Sequence, residues 1–69
     1  MQFYTVARFK NTGKIKVIGY AKDFAKLVDN YIFGKGLTVV RESDEFAEFE
    51  DRLVYTRSFP RARIEENED

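Results

Sequence analysis

The chain has 69 residues, 43% of them hydrophobic and eleven aromatic, with no cysteine and no histidine. That length allows one domain, burying only about 60% of its unfolded surface; disulfide staples and the usual structural zinc sites are excluded, and the aromatic content argues for a folded core. Twelve basic and twelve acidic residues cancel, yet residues 1–41 hold eight bases and two acids while residues 42–69 hold four and ten. The two halves are therefore oppositely charged, and one is expected to meet either an anionic surface or the other half.

Gln2 to Lys10 and Lys14 to Tyr20 alternate in β-branched and aromatic residues around Asn11-Thr12-Gly13, which predicts a hairpin with a three-residue loop and glycine in the left-handed position. In that register one face pairs Phe9 with Ile15, Ala7 with Val17 and Thr5 with Gly19, a small apolar core face. The other pairs Lys10 with Lys14, Arg8 with Lys16, Val6 with Ile18 and Tyr4 with Tyr20. Like charges directly opposed destabilise a sheet, so this second face calls for anions.

Lys22 to Phe33 reads as a helix, with Phe24, Leu27, Val28, Tyr31 and Ile32 at helical spacing, Asp23 as N-cap and Gly34 or Gly36 as terminator. Its apolar face is expected against Phe9, Ile15, Val17 and Val39. Leu37 to Arg41 follows as a strand. Ser43 can cap a short second helix over residues 44–52, with Phe46, Phe49 and Leu53 at i, i+3 and i+7; Leu53 to Phe59 then forms a strand ending at Pro60, or the helix continues to Tyr55. Residues 1–60 thus make one α+β domain, a hairpin and helix on a three- or four-stranded antiparallel sheet. The polar residues 61–69 form a charged tail expected to be disordered.

The order strand-turn-strand, helix, strand, acidic helix over residues 3–53 resembles the small N-terminal domain of some ribonuclease H enzymes. That resemblance implies a module binding RNA-containing duplex. The chain departs from the family in having Phe24 where the helix-start tryptophan stands and in lacking the tight glycine pattern near the hairpin.

No catalytic constellation emerges. Without His or Cys, base work falls to a carboxylate, lysine or tyrosine, and Ser43 and Ser58 have no candidate base beside them. Phe33-Gly34-Lys35-Gly36 follows a helix instead of preceding one, so it is a C-cap and not a phosphate loop. The expectation is no enzyme, no cofactor and no metal.

The candidate binding site is the hairpin face Tyr4, Val6, Arg8, Lys10, Lys14, Lys16, Ile18 and Tyr20. Three roles fit it: a surface for an acidic protein partner or a second copy of the chain, a nucleic-acid surface with tyrosines stacking and bases tracking phosphates, or a surface neutralised internally by the acidic segment. Overall neutrality counts against nucleic acid. The acidic residues Glu42, Asp44, Glu45, Glu48 and Asp51 form a second candidate face, able to mimic nucleic-acid phosphates as small phage inhibitors do. The leading expectation is a small non-catalytic adaptor or regulatory protein acting by surface occupation, self-associating, and by its size of the kind encoded by phages and mobile elements. No apolar run reaches the ~20 residues of a membrane span and no signal-peptide pattern opens the chain, so the expected place is the cytoplasm, away from the membrane.

Overall fold

The computed structural model of the chain describes residues 1–64. Five strands, β1 (Gln2–Phe9), β2 (Ile15–Tyr20), β3 (Val39–Glu42), β4 (Phe46–Phe49) and β5 (Arg52–Phe59), form one sheet in the order β2-β1-β5-β4-β3. Every neighbouring pair is antiparallel. Between β2 and β3 the chain crosses from one edge to the other through a helical segment, a 3₁₀ turn at Ala21–Asp23, α1 at Phe24–Asp29 and a π turn at Asn30–Gly34. The α+β class is as expected; the sheet is wider than expected because the acidic segment supplies a strand.

No second helix forms over residues 44–52, and residues 46–49 are β4. Their buried residues alternate: Ala47 and Phe49 lie in the core while Phe46 and Glu48 are half-buried on the other side. Ser43 closes a turn instead of capping a helix. Its N–H donates to the Phe46 carbonyl at 2.8 Å and its Oγ accepts from the Glu45 N–H at 3.1 Å. Pairing on both sides, with β3 and β5, satisfies the β4 backbone, and this tertiary setting overrides a weak local helix pattern. The likeness in element order to the ribonuclease H domain therefore ends at β3.

The hairpin register also differs from the expected one. The Phe9 N–H donates to the Lys14 carbonyl at 2.9 Å, and Gly13 takes φ +73° within a loop one residue longer than predicted. Near the turn Arg8 consequently faces Ile15, Ala7 faces Lys16 and Val6 faces Val17. A bulge at Ile18 then restores the predicted pairs Thr5–Gly19 and Tyr4–Tyr20. Neither of the two predicted like-charge pairs, Lys10–Lys14 and Arg8–Lys16, exists. Both slips have one benefit: no cation stands opposite another, which would cost a few tenths to about 1 kcal/mol per pair.

The helical segment packs on the face that carries Ala7, Ala47, Phe49 and Val54, closing a core with Val28 and Tyr31; Phe9, Ile18, Phe24, Ile32, Leu37 and Val39 seal its border. Ile15 and Val17, expected under the helix, point to the opposite face, and Ile18 takes their place. Alanines at the cross-strand positions Ala7 and Ala47 flank Val54, leaving depth for the Tyr31 ring, which meets Phe49 edge-on at 5.6 Å. Arg52 is buried on this face between the Phe9 and Tyr31 rings, at 4.8 and 4.9 Å, and forks onto the Asp51 carboxylate at 3.0 and 2.9 Å. Asp23 makes no side-chain cap, whereas Gly36, at φ +73°, ends the helix as expected, with the Leu37 N–H turned back to the Tyr31 carbonyl.

Candidate functional site: the uncovered face of the sheet

The second face of the sheet has no helix over it. Register places three cross-strand rows there. The central row is apolar: Val17, Val6, Tyr55 and Phe46. The row toward the hairpin loop reads Ile15, Arg8, Leu53, Glu48 and Arg41. The row toward the start of β1 reads Tyr20, Tyr4 and Arg57.

Val6 is 0% exposed although no strand or helix among the described residues lies over it. On this face its cross-strand neighbours are Tyr55 and Val17, with Tyr4 and Arg8 two residues away along the strand. Tyr4 is 4% exposed: it stacks on Tyr20 with centroids 5.6 Å apart, meets Phe59 at 6.0 Å, and accepts a hydrogen bond at its hydroxyl from the Ala62 N–H at 3.3 Å. Residues 61–64 of the expected tail thus run against the sheet, and residues 65–69 lie outside the described residues.

Charge on this face is unbalanced. Among the described residues, Arg8, Lys10, Arg41 and Arg57 are exposed there against one carboxylate, Glu48. Lys10 donates to Glu48 Oε2 at 2.7 Å and Arg41 Nε to Oε1 at 3.2 Å. The Lys10 hydrogen bond, and then the charges of Lys10 and Arg41, hold the Glu48 carboxyl below the usual carboxylate range against an opposing effect of desolvation. Two guanidinium groups lie over aromatic rings, Arg41 over Phe46 at 5.2 Å and Arg57 over Phe59 at 5.0 Å.

The structure divides the expected hairpin site. Tyr4, Val6, Arg8, Lys10 and Tyr20 share the uncovered face. Lys16 and Ile18 do not: the register shift sends Lys16 to the covered side, its ammonium 5.9 Å from the Phe9 ring, and Ile18 to the core border. Lys14 lies in the loop before β2, exposed. Ile15 and Val17 replace the two lost members. Phe46, Leu53, Tyr55, Arg57 and Arg41 were missed altogether, because β3, β4 and β5 complete the face; the alternation of Leu53, Tyr55 and Arg57 is the signal that could have found them, once β5 is set beside β1.

The expected acidic face is dispersed. Glu42 faces Ala47 and so lies on the covered side, Asp44 and Glu45 sit in the exposed turn, and Glu48 and Asp51 are held by cations. The hydrogen bonds from Arg52 lower the Asp51 carboxyl, with desolvation opposing. Among the described residues, internal neutralisation of the basic hairpin is therefore confined to Glu48. A larger concavity lies elsewhere, a groove of about 700 Å³ between the β2 edge and the helical segment, walled by Ile18, Tyr20, Leu27, Phe33 and Ile64. Among the described residues no set of three or more His, Cys, Asp or Glu side chains gathers as a metal site, and no helix is long and apolar enough to cross a membrane.

Comparison with known proteins finds no family model, no curated protein and no solved structure that matches the chain.

Proposed function

We propose that the chain is a non-catalytic binding protein that acts by surface occupation, with the uncovered sheet face receiving an acidic protein surface. The observation that carries this reading is the layout of that face, an apolar centre of Val6, Val17, Leu53, Tyr55 and Phe46 rimmed by four cations and one carboxylate. Apolar centre, polar rim, and tyrosine and arginine at contact positions are the features of protein interfaces. The charge excess argues against a second copy bound face to face, since cations would then oppose cations.

Nucleic acid is the competing partner for the same surface. Against it, Arg41 and Arg57 cap the Phe46 and Phe59 rings and Tyr4 is buried, which removes three of the platforms on which bases would stack. The chain also carries no net charge to draw a polyanion from a distance.

Fluorescence anisotropy separates the two readings, using a labelled peptide of alternating glutamate and leucine and labelled single-stranded DNA and RNA at low and moderate salt. The account expects saturable peptide binding with a shallow salt dependence, abolished by Arg8→Glu with Arg57→Glu. Tighter oligonucleotide binding that falls steeply with salt would replace the protein partner with nucleic acid.

A further inference from the structure

We infer that Arg8, Lys10 and Arg41 form a subsite on the uncovered face for one carboxylate of an acidic peptide, and that Glu48 is an internal carboxylate competing for it. The inference rests on the reading of that face as a binding surface, and it names the point where charge is recognised.

Four strands bring the subsite together. Arg8 on β1 faces Leu53 on β5, Leu53 faces Glu48 on β4, and Glu48 faces Arg41 on β3, while Lys10 reaches in from the hairpin loop. A depression of about 270 Å³ opens among these five side chains. Its occupant is already a carboxylate: Glu48 bridges Lys10 and Arg41 with one oxygen on each, at 2.7 and 3.2 Å. The cradle therefore has the spacing that a carboxylate needs.

Its capacity is not used up. An ammonium offers three donors and a guanidinium five, and Glu48 takes one from each of Lys10 and Arg41. Arg8 forms no ion pair among the described residues, so three cations share a single negative charge. Leu53 gives the depression one apolar wall, beside which a charge pair is less screened than in open water. A peptide carboxylate entering beside Arg8 would balance the excess, and the apolar row of Val6, Tyr55 and Phe46 lies next to it for the peptide's uncharged side chains. A phosphate would satisfy the same donors, but the neighbouring apolar row fits a peptide better.

The test measures affinity for the labelled glutamate-leucine peptide by anisotropy in the native chain, Glu48→Gln and Arg8→Gln, with thermal melts to confirm folding. Removing the resident charge tightens binding about threefold to tenfold, and removing Arg8 weakens it by a similar factor, as expected for one near-surface charge. Arg8→Gln breaks no ion pair, so it decides the matter even if Glu48→Gln unfolds the chain. Unchanged affinity in both variants, with binding still lost on Tyr55→Ser, overturns the subsite and leaves the face intact as a binding surface. Failure of the native chain to bind the peptide, or indifference to Tyr55→Ser and to Arg8→Glu with Arg57→Glu, overturns the face and the subsite together. If oligothymidylate binds more tightly than the peptide and responds to both charge changes, the recognised anion is a phosphate and the peptide assignment is wrong.

Discussion

The two faces of this sheet are made from the same strands and differ only in which alternate residue each receives. The covered face takes Ala7, Ala47, Val54 and Phe49, small or flat enough to admit a helix and the Tyr31 ring. The uncovered face takes Arg8, Tyr55, Leu53 and Arg57, longer side chains around the buried Val6. The buried core is concentrated on one side, and the proposed recognition surface is on the other.

The contrast breaks most sharply at Phe49. Phe49→Ala removes a fully buried ring and the edge contact with Tyr31, and is expected to cost about 3–5 kcal/mol, close to the whole stability of a domain this small. Phe46→Ala, three residues earlier but on the uncovered face, should cost about 1 kcal/mol. Urea unfolding of the two variants measures the difference, and equal losses would mean that the faces are not divided in this way.

A smaller effect is expected at the turn that determines which residues reach which face. Gly13→Ala forces a side chain into the left-handed region at φ +73°, at a cost of about 1–2 kcal/mol, with nothing nearby for the new methyl to touch. Urea midpoints read this loss, and an unchanged midpoint would show that the loop relaxes into another turn.

Exposed charge reversals should hardly register in stability. Arg8→Glu with Arg57→Glu should change it by no more than about 0.5 kcal/mol per site while abolishing binding of the acidic peptide. A large loss of stability would instead make these arginines structural.

Acid supplies the gentlest contrast. Glu48 and Asp51 both have folded-state carboxyls held below their ordinary values, so folding favours their ionised forms. Their contribution is complete above the unfolded-state range of about 4 and is lost as pH falls through the lowered folded values. Both side chains meet solvent, so the contribution is small. Asp51→Asn should flatten the acid limb of a pH–stability profile slightly, and an unaltered limb would show that the Arg52 fork adds nothing to it.

Much of this division was legible in the sequence. The hairpin, the position of the helical segment, its apolar residues and the last strand follow from local patterns. The glycine at the hairpin turn was also visible, but not the loop length, and that single residue decides whether Ile18 or Val17 stands beside Val6. A bulge at Ile18 leaves no local signature, since nothing in Val17-Ile18-Gly19 demands it. The segment Phe46-Ala47-Glu48-Phe49 was ambiguous for a physical reason: Phe46 and Phe49 fit a helix period, Ala47 and Phe49 a strand period, and only pairing with β3 and β5 decides between them. Half of the candidate site was hidden by that ambiguity, because Phe46 and Glu48 enter the uncovered face only as strand residues. Among the described residues the basic and acidic halves of the chain do meet, but through one carboxylate rather than one surface.

The most direct test of the division between the faces is an NMR titration of methyl-labelled protein with the glutamate-leucine peptide. The account predicts that the methyl signals of Val6, Val17 and Leu53 shift saturably while those of Ala7, Ala47 and Val54, their alternates beneath the helix, stay in place. Shifts confined to Ala7, Ala47 and Val54, or no shift at Val6, Val17 and Leu53, would contradict it.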